Sequence, residues 1–411
     1  MHFLYNFAVN STEKLLPLAG RFNEKLKLFR EGRKKLFDQL AAEITPTDKT
    51  IWFHAASLGE YEQAVPVILK VKEFFPEHKI VLSFFSPSGY EVKKNTSVAD
   101  IVTYLPLDTE SNAGRFLDMV HPDWVLFVKY EFWPNFLKEL KKREIRTLLI
   151  SGAFRKDQVF FQRYGKWMRK YLEAFEYFFL QNEKSVKLLH ELGFENIVKS
   201  GDTRFDRVSA QLEQDNHLNF VETFLGDDLC IVAGSTWPED EELLIEFIDK
   251  NSAGVKFIIA PHAIKKEKIE AFRKKLRVST VLYSEKDNER FKDHGVLIVD
   301  NVGLLTKIYS YADVAYVGGA AGETGLHNIL EPAAFGVPVV IGKNHSKFPE
   351  AGELKEAGGL ISVRDETEAY AILTTLVEDK DLRERTGLNA VAYIHKNTGA
   401  TKIIIEYLLK D

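Results

Sequence analysis

Short apolar runs alternate with stretches of helical spacing along the first half of the chain. The helical stretches include residues 60–75 and 132–143, which separate neighbouring apolar runs. Read as strands, the runs lie at 50–54, 79–85, 101–105, 124–129, 147–151, 177–181 and 197–200. An alternation of strands and helices predicts a parallel sheet with helices on both faces.

The same pattern starts again after a polar, acidic stretch at 209–228. The second series of strands lies at 229–233, 255–260, 278–283, 296–299, 313–317, 337–341 and 359–363. We therefore predict an α/β protein with two Rossmann-like domains. The predicted parts are an N-terminal arm at 1–45, domains at 46–210 and 211–395, and a C-terminal helix at 396–411 that packs back on the first domain. Ligands of open α/β sheets bind at the carboxyl ends of the strands, so we expect the site in a cleft between the domains.

Composition narrows the possible functions. The chain has 411 residues, of which 45% are hydrophobic and 28% charged, enough for two domains with cores. A net charge of −5 argues against a nucleic-acid partner. A single cysteine, Cys230, excludes an intramolecular disulfide framework and a cysteine-cluster zinc site. No apolar run reaches the roughly 18 residues that would predict a transmembrane helix.

The N-terminal arm is basic, whereas the chain as a whole is acidic. Residues 21–37 carry seven Lys or Arg against two Glu, a local charge of +5. Apolar residues near helical spacing are Phe22, Leu26, Phe29, Leu36 and Leu40. A basic amphipathic arm on an acidic protein favours contact with an anionic membrane surface. The alternative is a surface helix that packs its apolar stripe on its own domain.

Glu60 is the first candidate for chemistry. It follows the strand at 50–54 through the small-residue loop of "HAASLGE" (54–60), at or near a helix start. A carboxylate there can simply stabilise the helix N-terminus electrostatically. It can equally serve as a general base at the end of a buried strand. Ser57 and Gly59 of this loop are candidates for the acceptor side of the site.

Two more strand ends in the first domain carry polar residues. Glu131 follows the strand at 124–129 in "YEFWPN" and could act in a site or pair with Lys129 or a helix end. The turn "SFFSPSGYE" (83–91) could present hydroxyls and amides to a sugar or phosphate, although a helix cap explains Ser88 as well. Its candidates for the acceptor side are Ser86, Ser88 and Gly89.

In the second domain, Gly234, Ser235 and Thr236 leave the first strand and precede Pro238. Ser235 or Thr236 could cap the next helix, or the helix start could bind an anion. The acidic run at 238–242 is typical of a solvated first turn.

The strongest local signal is a glycine-rich segment within 313–342. Its glycines are Gly318, Gly319, Gly322 and Gly325. So many glycines allow close backbone approach and a nest of N–H groups, which favours phosphate or nucleotide binding. We predict a helix starting around His327–Asn328 that carries Glu331, within reach of ribose hydroxyls. The alternative for Glu331 is a surface glutamate.

Taken together, these segments resemble the 3-deoxy-D-manno-oct-2-ulosonic acid (Kdo) transferases, which have the two-domain GT-B glycosyltransferase fold. The resemblance covers nearly the whole chain. The matching blocks are 54–60, 83–91, 130–135, 180–185, 200–206, 232–236, 303–319 and 325–342.

The resemblance implies an inverting transfer of Kdo from CMP-Kdo to a lipid A precursor at the cytoplasmic face of the inner membrane, with no bound metal and no cofactor. It implies that Glu60 is the catalytic base and that Glu131 is a second catalytic glutamate. The CMP-binding region would be 318–328 with Glu331 at the ribose, and 234–236 would meet the donor phosphate.

Two basic positions depart from the family pattern. The usual Pro-Arg-His triplet keeps His262 but has Pro261 at the arginine, so Lys265, Lys343 or Lys347 would meet the phosphate charge. Arg155 is displaced by one position in "SGAFRK". Alternative functions are another GT-B nucleotide-sugar enzyme (a UDP-sugar transferase or a UDP-GlcNAc 2-epimerase) and a non-catalytic glycolipid-binding relative.

Overall fold

The computed structural model describes residues 1–19, 24–251, 254–288 and 290–410. The chain forms two compact units: Met1–Arg207 with Thr398–Asp411, and Val208–Asn397. Each unit holds one seven-stranded parallel sheet, which confirms the two predicted α/β domains.

The first unit has the strand order β3-β2-β1-β4-β5-β6-β7. Its strands are β1 (Lys49–His54), β2 (His78–Phe84), β3 (Ile101–Tyr104), β4 (Trp124–Val128), β5 (Arg146–Gly152), β6 (Tyr177–Leu180) and β7 (Ile197–Lys199). The helices up to the unit boundary are α1 (His2–Ala19), α2 (Glu24–Glu31), α3 (Leu36–Glu43), α4 (Leu58–Phe74), α5 (Pro87–Lys93), α6 (Glu110–Val120), α7 (Pro134–Lys142), α8 (Arg169–Leu172), α9 (Glu183–His190) and α10 (Thr203–Ser209).

The second unit has the order β10-β11-β9-β8-β12-β13-β14. Its strands are β8 (Leu229–Thr236), β9 (Val255–Pro261), β10 (Thr280–Leu282), β11 (Val296–Ile298), β12 (Val314–Val317), β13 (Val339–Ile341) and β14 (Leu360–Ser362). Its helices are α11 (Asn219–Leu225), α12 (Pro238–Lys250), α13 (Lys266–Arg273), α14 (Leu305–Ile308), α15 (Leu330–Ala334), α16 (Pro349–Glu356), α17 (Glu366–Glu378) and α18 (Lys380–Asn397). Short 3₁₀ helices lie at Val159–Phe161, Arg163–Met168, Ala210–Glu213, Tyr283–Glu285, Phe291–Asp293 and Tyr309–Tyr311.

The last helix, α19 (Ala400–Leu408), belongs to the first unit. It buries Ile404, Ile405 and Leu408 in the core of that unit. The Asp206 carboxylate accepts hydrogen bonds from the backbone N–H groups of Gly399 and Thr401 at 2.6 and 2.7 Å, which satisfies the start of the helix.

The first sheet is buried on both faces because its strands are apolar throughout. Strand alternation sends Trp52 of β1 to one face, where it joins Phe127, and sends Ile51 and Phe53 to the other. This two-sided burial explains why the strands appear in the sequence as continuous apolar runs.

Each predicted strand has an observed counterpart, and the largest shift is at the end of β8. That strand continues to Thr236, beyond the predicted end at 233, because Thr236 pairs with Pro261 after a register shift. The predicted helix at 327–328 is wrong by a few residues, since α15 begins at Leu330.

The chain order of the strands reverses at one point in each sheet. The neighbours there are β1 and β4 in the first unit, and β8 and β12 in the second. In doubly wound sheets such topological switch points open a crevice at the carboxyl ends of the two strands. Glu60 and Glu131 follow β1 and β4, residues 234–236 end β8, and the glycine-rich segment follows β12. Other predicted site residues lie elsewhere, since Ser86 and Ser88 follow β2 and His262 follows β9.

The N-terminal arm is divided by a turn at 32–35, between α2 and α3. Leu36 and Leu40 of α3 are buried in the core of the first unit. Arg33 donates to the carbonyls of Phe29, Phe85 and Leu105, which ties the turn to the unit. The predicted arm residues Arg21 and Phe22 lie outside the described residues. Over the described parts of the chain, the search for a helix long and apolar enough to cross a membrane finds none.

Candidate active site

Glu60 lies at the switch point of the first unit. Ser57 is the N-cap of α4, and Glu60 occupies the third position of the helix. One carboxylate oxygen, Oε2, accepts the backbone N–H and the hydroxyl of Ser57, each at 2.6 Å. Within the described ranges, no hydrogen bond reaches the other oxygen, Oε1. Glu60 therefore supports the helix start with one oxygen and leaves the second able to accept a proton.

The environment of Glu60 suits a base that works near neutral pH. The residue is only 4% exposed. Burial raises the pKa of Glu60, and the nearby charge of Glu131 adds to the rise, while the hydrogen bonds from Ser57 and the charge of Lys129 oppose it. A carboxylate with a raised pKa holds an abstracted proton more tightly than an exposed glutamate does.

Glu131 lies beside the buried imidazole of His54, with Oε2 at 3.5 Å from Nε2. The Trp133 indole donates to the same Nε2 at 3.2 Å. An indole can only donate, so Nε2 must accept and the imidazole is the neutral Nδ1–H tautomer. Nδ1 then donates to the Ser83 hydroxyl at 2.8 Å. The contact between Glu131 and His54 is therefore not an ion pair.

Lys129 leaves β4 in the left-handed region, with φ of 69°. Such backbone in a non-glycine residue costs free energy and clusters at functional sites. The Lys129 ammonium and the Arg155 guanidinium lie 5.0 and 5.5 Å from the Tyr130 ring centre. Burial, Glu60 and Glu131 raise the pKa of Tyr130 while Arg155 opposes them, which places this phenol in the field of both glutamates. Arg155 therefore reaches the site despite its displaced position in the sequence.

The serine turn lies directly beside the Glu60 loop. Ser86 is the N-cap of α5, and its N–H donates to the Ala56 carbonyl at 2.8 Å. Ser86 and Ser88 hydroxyls are 2.7 Å apart. A Cβ on Gly89 would stand 3.2 Å from the Leu58 nitrogen, so this glycine allows α5 to approach the start of α4. The sequence alternative of Ser88 as the cap is wrong, because Ser86 takes that position.

The space around Gly59 differs from that around Gly89. A Cβ at Gly59 would meet only the Ser57 hydroxyl at 3.9 Å, so packing does not require a glycine there. Its exposed backbone borders the Glu60 carboxylate.

At the switch point of the second unit, β8 ends in Gly234, Ser235 and Thr236. A Cβ on Gly234 would lie 2.0 Å from the Tyr309 hydroxyl, so only glycine fits. Ser235 has a φ of 54°, another non-glycine residue in the left-handed region. The predicted capping by Ser235 or Thr236 is wrong, because Trp237 is the N-cap of α12 and Thr236 instead donates to Glu241 at 3.2 Å.

Asp240 holds the glycine-rich segment in place. Its carboxylate is fully buried and accepts the N–H groups of Trp237 and Gly319 at 2.9 and 2.8 Å, and the Tyr316 hydroxyl at 2.9 Å. The Ala321 N–H also points to it at 3.3 Å. The expectation of a solvated acidic turn at 238–242 is therefore wrong for Asp240, because these donors are available only inside the unit.

The glycine-rich segment is packed tightly against this carboxylate. A Cβ on Gly318 would lie 2.4 Å from the Ser235 carbonyl oxygen, and Gly319 has a φ of 96°. Because the amides of Gly319 and Ala321 donate to Asp240, they do not belong to the predicted anion-binding nest. Gly322 and Gly325 lie further along the segment, and Gly325 donates to the Gly319 carbonyl.

Three rings stack beside the segment. The Trp237 and His262 ring centres are 4.5 Å apart and nearly parallel, and those of His262 and His327 are also 4.5 Å apart. The Trp237 indole donates to His327 Nε2 at 3.2 Å. Burial, with a contribution from His262, lowers the pKa of His327 to about 4, and burial also lowers that of His262. Both imidazoles are therefore neutral at pH 7 and offer flat faces rather than charge.

Glu331 lies in the first turn of α15. Its two oxygens accept hydrogen bonds from Thr306 at 3.0 Å and from Asn328 at 2.9 Å. Glu331 also contributes to the raised pKa of the buried Tyr309 phenol. The structure thus brings Glu331 and Asn328 together, and the position of Glu331 at the ribose stays a prediction.

Known proteins resemble the chain in sequence. A family model described as 3-deoxy-D-manno-octulosonic-acid transferase (kdotransferase) matches residues 21–207. The 3-deoxy-D-manno-octulosonic acid transferase of Haemophilus influenzae is 27% identical over 96% of this chain and 94% of its own length. That of Aquifex aeolicus is 28% identical over 80% of this chain and 86% of its own length.

The chain is thus similar in sequence to Kdo transferases over most of its length. A bifunctional glycosyltransferase/methyltransferase of Fusobacterium nucleatum is also 28% identical over 78% of this chain, which spans half of that protein.

Solved structures support the fold of the chain. The UDP-GlcNAc 2-epimerase of Neisseria meningitidis bound to UDP-GlcNAc superposes with a TM-score of 0.62 at 16% identity, over 88% of this chain and 100% of that one. MurG of Acinetobacter baumannii superposes with a TM-score of 0.55 at 14% identity, over 88% and 100% of the two chains. The two Rossmann-like sheets are thus GT-B-like.

Two of the lysines that could replace the missing family arginine, Lys343 and Lys347, lie on one loop beside the glycine-rich segment. Asn344 donates to the carbonyls of Ala321 and Gly322, so the loop that carries Lys343 and Lys347 runs along that segment. Both lysines are exposed.

Residue-type patterns did not indicate the roles of several residues near the two candidate sites. His54 and Tyr130 lie in the matching blocks without a predicted role, and the pattern assigns Lys129 only as a partner of Glu131. Asp240 stands in an acidic run that looks solvated. Their partners are distant in sequence, so only the position of Asp240 three residues after an N-cap hinted at a capping contact.

Proposed function

We propose that this chain is an inverting glycosyltransferase that moves Kdo from CMP-Kdo to a lipid A precursor in lipopolysaccharide biosynthesis. Sequence similarity to Kdo transferases supports the reaction. The observation that carries the mechanism is Glu60 at the switch point of the first unit. It is a buried carboxylate with a raised pKa, and one of its oxygens accepts no hydrogen bond from the described residues.

In the proposed step, Oε1 of Glu60 takes the proton from the attacking acceptor hydroxyl. The hydroxyl oxygen forms a bond to the anomeric carbon of Kdo while the bond from that carbon to the CMP phosphate oxygen breaks. CMP leaves with the electron pair of that bond. Because the hydroxyl attacks the face of the anomeric carbon opposite to CMP, the anomeric configuration inverts. Because CMP is a good leaving group, the step needs no strong general acid and no cofactor. Lys129 and Glu131 adjust the charge around Glu60.

We assign the donor to the second unit. Glu331 and Asn328 would hold the ribose, the start of α12 after Gly234–Thr236 would face the phosphate, and His262 with Lys347 would complete the donor contacts. Asp240 keeps the glycine-rich segment in shape without touching the donor. The expectation that the two units share a cleft stays a prediction.

We place the protein on the cytoplasmic face of the inner membrane through α1. The outer face of this helix exposes Phe3 and Phe7, at 79% and 66%. Apolar side chains that lie outward beside basic residues are typical of helices in the membrane interface. Replacing both phenylalanines by serine should weaken binding to vesicles of phosphatidylcholine and phosphatidylglycerol about tenfold or more, given the apolar area removed.

The matched control for the vesicle experiment is Val302→Ser, which changes an exposed apolar side chain in the second unit. Substitution is preferable to deleting residues 1–40, because Leu36 and Leu40 are buried. Equal vesicle binding by the double serine variant and the control would contradict the membrane assignment.

The reaction is tested with CMP-Kdo generated in the assay and a lipid A precursor as acceptor. Glu60→Gln should fold normally and lose about 10²–10⁴-fold in transfer, the usual share of a general base. Glu73→Gln, at the exposed end of the same helix, should keep wild-type turnover. Near-normal transfer by Glu60→Gln would refute the base assignment.

The alternative nucleotide-sugar enzymes are separated by titrations with CMP and with UDP. CMP should stabilise the protein against thermal unfolding and UDP should not. Stabilisation by UDP alone would favour a UDP-sugar enzyme, and stabilisation by neither nucleotide would favour a non-catalytic relative.

A further inference from the structure

Helix α1 contacts the first unit through polar side chains. The Tyr5 hydroxyl donates to Asp108 at 2.6 Å, and Asn135 donates to the Asn6 side-chain carbonyl at 2.9 Å. His2 Nε2 lies 3.0 Å from the Asn135 carbonyl oxygen. We call these five residues the α1 latch. An ordinary surface helix packs apolar residues inward, whereas α1 turns polar residues to the protein.

The two latch residues outside α1 are buried and organise the start of α7. The Asp108 carboxylate accepts the N–H groups of Asn135 and Phe136 at 3.0 and 2.9 Å, so it satisfies two of the first amides of α7. Burial raises the pKa of Asp108 to about 7, against the opposing hydrogen bonds. A buried carboxylate depends on each of its donors, and among the described residues Tyr5 is the only side chain that donates to Asp108.

The start of α7 is the end of the Glu131–Trp133 loop. Trp133 is the N-cap of α7, and its indole donates to His54 in the Glu60 site. A shift of the first turn of α7 would therefore move Trp133, and with it the neighbours of Glu60. The latch residues do not themselves reach the predicted reacting atoms.

We propose that α1 is a positioning element, whose seating in the α1 latch sets the Glu131–Trp133 loop and thereby the acceptor side of the Glu60 site. The inference rests on the proposed function for its activity readout. The proposal also links the two faces of α1. A lipid surface that binds the outer face favours the position of α1 in which the α1 latch is formed. By reciprocity, an ordered Glu60 site favours the same position of α1.

The central variant is Tyr5→Phe. It removes one hydroxyl and leaves Asp108 both of its amide donors, so a latch that is only structural would leave turnover unchanged. If α1 positions the loop, kcat for Kdo transfer falls by about tenfold, in the range of couplings between contacting residues. CMP affinity should stay within error, and the melting temperature should fall only modestly, because Asp108 keeps both amide donors. The matched control is Tyr164→Phe, an exposed tyrosine that should match the wild type in every measurement.

Hydrogen exchange gives a readout besides activity. In the full-length protein, amides of residues 131–142 should exchange faster in Tyr5→Phe than in Tyr164→Phe. Wild-type kcat together with wild-type exchange in Tyr5→Phe would overturn the proposal. If the wild type transfers no Kdo yet Tyr5→Phe still speeds exchange, the proposed function fails and the latch stands.

A double variant tests the route through the loop. Trp133→Phe removes the hydrogen bond to His54. If Tyr5 acts through Trp133, the double variant Tyr5→Phe/Trp133→Phe loses no more activity than the more damaging single variant. Losses that multiply would show independent effects and would overturn this route.

Discussion

Glu60 and Asp240 occupy equivalent positions in the two units. Each is the third residue of the helix that follows the first strand at a switch point, and each accepts the N–H of its N-cap residue, at 2.6 and 2.9 Å. Among the described residues, no hydrogen bond reaches one of the Glu60 oxygens. Asp240 accepts hydrogen bonds from the glycine-rich segment and Tyr316 on both oxygens. The same position thus carries the proposed base in one unit and a carboxylate that supports the fold in the other.

The two carboxylates differ because different loops follow the neighbouring strands, β4 in the first unit and β12 in the second. After β12, the chain turns back and directs the amides of Gly319 and Ala321 at Asp240. After β4, Lys129 turns through left-handed backbone and the loop places charged side chains, rather than amides, around Glu60. A buried carboxylate surrounded by amides is inert, whereas one with a free oxygen and a raised pKa can exchange a proton.

The largest expected effect is on the stability of the fold, and it distinguishes Asp240 from Glu60. Asp240→Ala leaves the buried amide of Gly319, the partly buried amides of Trp237 and Ala321 and the Tyr316 hydroxyl without their acceptor. The free energy of unfolding should therefore fall by about 3 kcal/mol or more. Glu60→Ala should change stability far less while it abolishes transfer. Denaturant unfolding of both variants, followed by circular dichroism, tests the contrast. A reversed order of stability would remove the distinction between architecture and chemistry.

The pH dependence of transfer tests the raised pKa of Glu60. The base must be ionised, and burial raises its pKa, so kcat/KM should be lost as pH falls through that raised value, at about tenfold per unit below it. The linked stability has the opposite sign: the folded state holds the Glu60 proton more tightly than the unfolded state, so this contribution favours folding at low pH and is lost as pH rises through the raised pKa. The residual rate of Glu60→Gln should lack the acid limb. A wild-type profile without that limb would contradict the assignment.

In the second unit, Glu331 is the carboxylate that we assign to the ligand, in contrast to Asp240. The variant Glu331→Ala tests this assignment. Loss of the ribose contact should weaken CMP binding by about tenfold, since a hydrogen bond to a charged group contributes on the order of 1.5 kcal/mol. Calorimetric titration with CMP measures it. Glu323→Ala, an exposed carboxylate in the same segment, is the control and should bind like the wild type. Unchanged affinity in Glu331→Ala would place the ribose elsewhere.

The smallest effect concerns Ser57. Its hydroxyl favours the ionised form of Glu60, so Ser57→Ala should raise the pKa of Glu60 further and move the acid limb of the rate profile to higher pH. We expect the rate near neutral pH to fall by about threefold, because the backbone N–H of residue 57 still binds the carboxylate. Ser88→Ala, in the neighbouring turn, leaves Glu60 untouched and should keep the wild-type pH profile. An unshifted limb in Ser57→Ala would mean that the hydroxyl does not set the pKa.

Much of the fold could be predicted from the sequence, because strands that are buried on both faces must be continuously apolar. Trp52 and Phe53 point to opposite sides of one sheet, and both sides are core. Glu60 and Glu331 could also be named in advance, because each follows a strand or glycine-rich segment within a few residues. These are local signals, which a reader of the chain can see.

The roles of Asp240, Arg155 and α1 were decided only by tertiary structure. Asp240 stands in an acidic run that looks solvated, yet its donor Gly319 is far along the chain. The apolar residues of α1 do indicate a helix with an apolar face, but the direction of that face depends on Tyr5 meeting Asp108. Hydrophobic periodicity is fixed by neighbours in the chain, whereas the partner of a buried charge is fixed by which distant segments the sheet brings together, and that information is absent from any local pattern.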